Sequence, residues 1–159
     1  MYFCLSTEKP IMSMNKLINI SEATSIAIHS LSLIAKIDKS INATQIAEYT
    51  GFSKNHLSKV LQLLVKQGYL SSSRGPKGGF LLARKASEIS LLEIYELIEG
   101  KLPNVYYVGN SHKCPFQDYI YGDIIEKISE FFIKSFGNRY ISDIKFKEEI
   151  NSETLFQNI

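Results

Sequence analysis

The sequence predicts a mainly α-helical fold with a small β-hairpin, on three observations. Apolar residues recur at helical spacing in successive segments on both sides of the middle of the chain. The stretch that breaks this period, Tyr69–Arg84 (YLSSSRGPKGGFLLAR), reads as two short strands around a glycine-rich, basic tip. Directly before it come a short helix, a glycine-containing turn and a second helix with a polar face. A helix packed behind that pair and a hairpin leaning on it make a winged helix-turn-helix, and a long C-terminal helix is left to serve as a dimerisation element.

Taken in order, residues 1–16 show no sustained period, and Pro10 argues against one uninterrupted helix. From Ser21 to Lys36, Ala23, Ile26, Ala27, Ser30, Leu31 and Ile34 repeat at helical spacing, with Leu33 and Ile37 widening the stripe. That breadth predicts burial on more than one side. Asn42-Ala43-Thr44-Gln45 matches a capping box, and Ile46, Ala47 and Tyr49 supply the packing of a short helix. Gly51 turns the chain and Ser53 caps the next helix, 54–67, whose Leu57, Val60, Leu61 and Leu64 form one apolar face. Gly68 ends it. The strands 69–73 and 80–83 follow, with Leu70, Phe80 and Leu82 toward the helices and Pro76 stiffening the tip. Ser90–Glu93 reads as another capping box for a helix over 91–99, ended by Gly100.

Beyond it, 101–114 reads as a linker or sensor loop, 115–137 as the dimerisation helix and 138–159 as a tail with a short strand or helix near Tyr140–Phe146 and a loose terminus, so that 17–100 is the winged helix-turn-helix domain. Pro115 suits a first helical turn. Phe116, Ile120, Ile124, Ile128 and Phe132 fall on one face, reinforced by Ile125, Phe131 and Phe136, and this is more apolar surface than an outlying helix leaves bare. It must cover its own domain, meet a second subunit, or do both.

Charge is concentrated rather than large. The 159 residues carry a net charge of +2, yet Tyr49–Ala86 holds seven bases and no acid. Such a block focuses positive potential, as a polyanion-binding surface requires. In the helix pair the second helix enters a major groove by its N-terminal end, which makes Ser53, Lys54, Asn55 and His56 candidate contacts and Ser58 and Lys59 the next ones. Asn pairs with adenine, and Lys takes guanine or phosphate. At the hairpin tip Arg74 has the reach for an adjacent minor groove, Lys77 for a phosphate, and Gly75, Gly78 and Gly79 permit close backbone approach.

The segment Gly51–Gly100 (GFSKNHLSKVLQLLVKQGYLSSSRGPKGGFLLARKASEISLLEIYELIEG), with Ile26–Ala35 and Asn42–Thr50 before it, closely resembles the Rrf2 family of bacterial transcription regulators. The resemblance implies a homodimeric, cytoplasmic, winged helix-turn-helix protein with a crossing dimerisation helix that binds palindromic promoter DNA. It also implies, for some relatives, an iron–sulfur cluster held by three cysteines with five residues between successive ones. Here Cys114 stands at the last of these positions, and Leu102 and Val108 occupy the other two; the remaining cysteine is Cys4. No cofactor, and no cluster of that type, is therefore expected. His112 and Cys114 stay candidates for a redox or metal sensor, with His29 or Cys4 as a contribution from across a dimer.

The function expected is a sequence-specific, dimeric promoter repressor that answers to a small-molecule or redox effector. A winged-helix docking module without DNA contact, and a redox- or metal-responsive regulator using Cys114, are the alternatives. No enzyme is expected: paired carboxylates and a nucleophilic triad are not identifiable, and the glycine turn joins two strands rather than a strand to a helix. No apolar run reaches membrane-spanning length and no signal-peptide core is evident, so a membrane partner is not expected either.

Overall fold

The computed structural model describes residues 18–75, 78–102 and 123–146. Five helices and one hairpin follow in the order α1 (Glu22–Ile37), α2 (Ala43–Thr50), α3 (Lys54–Lys66), β1 (Leu70–Ser73), β2 (Gly79–Leu82), α4 (Leu91–Glu99) and α5 (Ile124–Gly137). The architecture is the one expected: mainly helical, with a two-stranded antiparallel sheet as a wing and a C-terminal helix beyond it.

Helix α1 is the centre of the body. Ile26, Ala27, Leu31, Leu33, Ile34 and Ile37 are buried around most of its circumference, against α2, α3, α4 and the wing. Burying each such aliphatic side chain stabilises the fold by about 1.5–3 kcal/mol, less the entropy of ordering it. Its ends are set locally. Ser21 accepts from the Thr24 amide at 3.2 Å, and Asp38 closes the helix in the left-handed region at φ 51°, its amide bonded to the Ile34 carbonyl. The buried Thr24 hydroxyl is satisfied from a distance: it donates to the Glu99 carboxylate at 2.5 Å, and the Ser21 amide donates to the same group at 3.0 Å. Glu99, in the last turn of α4, thus lies at the positive end of α1.

The capping box of α2 is complete, with Gln45 N to Asn42 Oδ1 at 3.0 Å and Asn42 N to Gln45 Oε1 at 2.9 Å. Gly51 ends that helix at φ 73°, a conformation costly to any residue with a Cβ. On α3 the buried stripe is Leu57, Val60, Leu61 and Leu64, as the spacing predicts.

The wing pairs Leu70 with Leu82 and Ser73 with Gly79. Leu70 is buried, Phe80 and Leu82 are half-buried, and Leu81 faces out. A third chain segment completes the sheet edge: Ile41 exchanges backbone hydrogen bonds with Phe80, at 3.3 and 2.8 Å. The start of the expected tail is fixed to the body, with a Ser90–Tyr140 bridge and a short helical turn at Ile141–Asp143 inside the 140–146 stretch. Leu91 N donates to the Arg139 carbonyl at 2.8 Å, Ile141 N donates to the Ile89 carbonyl at 2.9 Å, and the Ile141 side chain enters the core. Residues 103–122, which hold most of the expected sensor loop and the first turns of the expected dimerisation helix, lie outside the described residues.

Candidate nucleic-acid interface

The buried stripe of α3 decides what the helix shows outward. With Leu57, Val60, Leu61 and Leu64 turned to α1, the side chains of Lys54, Asn55, Lys59, Gln62 and Lys66 are exposed, and His56 and Ser58 flank them half-buried. Ser53 sits exposed at the N-cap, its hydroxyl 3.5 Å from the His56 amide. Two adjacent candidate contacts therefore differ in kind. Asn55 makes no side-chain bond among the described residues, whereas His56 Nδ1 lies 3.0 Å from the Glu22 carboxylate of α1. That contact ties the N-terminal turns of α1 and α3 together. His56 is positioned by the body; Lys54 and Asn55 stand free of it.

At the wing, Arg74 and Gly75 are exposed, and the turn is closed by Gly78 N donating to the Gly75 carbonyl at 2.9 Å. Gly75 takes φ 111°, in the region that favours glycine. Gly78 has no room for a side chain, since a Cβ there would run into the Ser73 carbonyl oxygen, and the same holds for Gly79. Gly79 is buried, and a Cβ there would lie 2.6 Å from the Ile41 carbonyl oxygen. The close approach that Gly79 permits is thus made to Ile41 inside the chain, not to an outside backbone, because the third segment packs against the strand at that point. Lys77 lies outside the described residues.

The basic block needs a similar correction at its C-terminal end. Arg84 Nη1 is 2.5 Å from Glu93 Oε1, and its other terminal nitrogen donates to the Glu88 carbonyl at 2.9 Å. Lys85 pairs with Glu88 at 3.7 Å. Acids lying just beyond the acid-free window fold back onto it, so the positive field comes from Lys54, Lys59, Lys66 and Arg74, which form no ion pair among the described residues.

Glu93 was legible only as half of a capping box, and only half of that box forms. Its amide donates to Ser90 Oγ at 3.1 Å, while its carboxylate turns away and receives the Tyr69 hydroxyl at 2.9 Å together with Arg84. The Arg84 guanidinium lies over the Tyr69 ring, 5.4 Å from its centroid. Burial, helped by the hydrogen bond to Glu93, pushes the Tyr69 phenol up to about 12.

The C-terminal helix divides its apolar residues. Phe132 is 7% exposed and packs against Tyr95 and Phe136, at ring centroid distances of 4.9 and 4.1 Å, so it belongs to the chain's own interior. Ile124 at 59%, Ile128 at 38% and Phe131 at 74% are open. Phe116 and Ile120, which would extend that open face, are outside the described residues.

Of the sensor candidates, His29 is exposed on α1, its Nδ1 2.7 Å from the Ser25 carbonyl and its ring edge-on to Phe52. His112 and Cys114 are outside the described residues, and the described residues hold no group of three His, Cys, Asp or Glu able to bind a metal ion. Two cysteines in the chain cannot provide the three thiolates of the familiar cluster from one copy. The residues present do not fit that group. Among the described residues no helix is long and apolar enough to cross a membrane.

Comparison with known proteins places this geometry. A family model for Rrf2, described as an iron-dependent transcriptional regulator, matches residues 20–144. The protein BadM of Rhodopseudomonas palustris is 41% identical over 69 residues, which cover 43% of this chain and 44% of that one. The HTH-type transcriptional regulator IscR of Photorhabdus laumondii is 33% identical over 113 residues, 68% of this chain and 63% of that one. The chain thus spans roughly half to two thirds of these curated relatives' length. Among solved structures, CymR of Bacillus subtilis, named as its global cysteine regulator, superposes with a TM-score of 0.66 at 18% identity, covering 79% of this chain and 95% of that one. IscR of T. potens superposes at 0.63 with 21% identity, covering 79% and 85%. At those identities the two structures speak to the fold alone.

Proposed function

The chain belongs to the Rrf2 family of winged helix-turn-helix regulators, and from that premise we propose that it acts as a dimeric, sequence-specific DNA-binding repressor. The observation that carries the reading is the outward face of α3 beside the wing: Lys54, Asn55 and Lys59 exposed at the N-terminal half of one helix, and Arg74 exposed at the hairpin tip. In this reading α3 enters the major groove by its N-terminus, where Asn55 has the donor and acceptor pair that adenine presents. Lys54 and Lys59 hold phosphates or guanine. Arg74 enters the neighbouring minor groove, and Lys77 takes the adjoining backbone.

A second copy is needed for area and for register. The open Ile124, Ile128 and Phe131 of α5 are the surface through which two copies meet, giving a two-fold protein for a palindromic site. Occlusion of a promoter by that dimer is the simplest route from binding to repression. The effector is read at the segment between α4 and α5, which contains His112 and Cys114.

Titration of a duplex with the dimer at several salt concentrations tests the reading. Counterion release by four cationic contacts per copy, Lys54, Lys59, Arg74 and Lys77, predicts a log–log salt slope of about −7 for the dimer. Binding that is flat in salt, or absent for every genomic fragment offered, would sink it and favour a docking role.

A further inference from the structure

The wing is small. Each strand has four residues, too few to be stable alone, so its direction depends on what holds its roots. One contact is the Ile41 bridge at mid-strand. The other is at the roots themselves. Tyr69 stands immediately before β1 and Arg84 just after β2, and a single oxygen, Glu93 Oε1 on α4, receives both, at 2.9 and 2.5 Å. The guanidinium over the Tyr69 ring closes the triangle. Glu93 forgoes the local bond that its capping-box position offers in order to make these long-range ones.

We propose that Glu93 is a positioning residue for duplex recognition: it staples both roots of the wing to α4 and so sets where Arg74 points. This rests on the minor-groove role given to Arg74 above. The leverage is geometric. Four residues of strand carry the tip about 13 Å from the root, so a small angular freedom at Tyr69 and Arg84 becomes a displacement of ångströms at Arg74. Minor-groove insertion tolerates little of that. The pair is half exposed, with side chains 38% and 35% accessible, so its contribution to overall folding is modest and its effect is local.

The test is a double-mutant cycle on the full-length dimer with a footprinted duplex. Glu93→Gln keeps the shape and removes the charge; it is expected to weaken binding about five- to tenfold, with helical content and oligomeric state unchanged. In an Arg74→Ala background the same substitution is expected to change affinity less than twofold, roughly the resolution of such a cycle, because the residue it positions is gone. Additive losses would overturn the positioning role and leave a merely structural one. Tyr69→Phe, which removes one donor and no charge, is the second variant should Glu93→Gln fold poorly; it should show the same coupling in smaller measure. Amide exchange adds a DNA-free readout: Ser71–Ser73 and Phe80–Leu82 should exchange faster in Glu93→Gln while α1 amides hold their rate, and equal rates in the wing would overturn the staple. If Glu93→Gln binds like the parent while Arg74→Ala does not, this inference fails alone. An Arg74→Ala variant that binds like the parent sinks the wing reading, and the positioning role with it.

Discussion

Helices α3 and α5 are built alike on their inner sides and oppositely on their outer ones. Both lay apolar side chains against the body: Leu57, Val60, Leu61 and Leu64 from α3, Phe132 and part of Phe136 from α5. Outward, α3 presents Lys54, Asn55, Lys59 and Lys66, while α5 presents a stripe of Ile124, Ile128 and Phe131 flanked by the exposed charges of Glu126, Lys127, Glu130 and Lys134. A polar outer face is complete in water and becomes a site only through its charge pattern. An apolar one is incomplete in water and calls for another apolar surface. The difference teaches that the two proposed interfaces are separable. One is governed by counterions and hydrogen bonds, the other by burial, and substitutions should divide accordingly.

The largest expected effect removes the common base of both. Leu61→Ala, at a position with no exposure, should cost about 2–5 kcal/mol in a urea titration and weaken pairing and duplex binding together. Phe131→Asp should split the two functions. It is expected to shift sedimentation from dimer to monomer by about 2 kcal/mol or more of association free energy, with the circular dichroism of the fold retained. A dimer that survives Phe131→Asp would move the interface off α5. Gly79→Ala probes the seam between the wing and the helices; its Cβ would press on the Ile41 carbonyl, and about 1–3 kcal/mol of stability should go, with faster amide exchange at Ile41 and Phe80. Arg74→Ala should leave sedimentation and unfolding unaltered and weaken a cognate duplex by about tenfold, flattening the salt slope by roughly one per copy. The smallest effect belongs to Tyr69→Phe, about 1 kcal/mol near neutrality. It has a pH signature as well. The folded state holds the phenolic proton more tightly, up to about 12 against the ordinary value of 10.0, so this contribution is present in full below pH 10.0 and is lost as pH rises to about 12. The variant should therefore lose less stability than the parent across that interval.

How far the chain could be read depended on how far apart the interacting groups stand. Helices α1 to α4 and their caps were legible because a stripe at helical spacing and a cap both act within a few residues: Asn42 with Gln45, Gly51 after α2, Leu57 with Leu61 and Leu64. The outward face of α3 followed by subtraction. The acid-free window gives no sign that Arg84 is paired, because its acid, Glu93, lies nine residues on and across a turn of the fold. Nothing in the residues around Gly79 announces that the backbone it approaches is that of Ile41. A β-branched residue directly before a capping box was the one available signal for that third segment. Ile141 gave little warning that it would enter the core, since its segment is too short to show a period.

Adjacent phenylalanines on α5 mark the boundary most clearly. Phe131 and Phe132 are the same residue type, one step apart, and no pattern in the chain separates a core side chain from an interface one. The rotation of α5 against Tyr95 separates them, leaving one ring 74% exposed and the other 7%. Local chemistry by itself determined helices α1 to α4 and their caps, the polar face of the second helix of the pair and the family resemblance, since all of these are written in near-neighbour spacing. Tertiary structure alone decided where Glu93 sends its carboxylate, which bases of the window keep their charge to themselves, and which half of α5 remains to be covered. Those outcomes turn on the mutual orientation of elements far apart in the chain, and that orientation is settled only when the whole core packs at once.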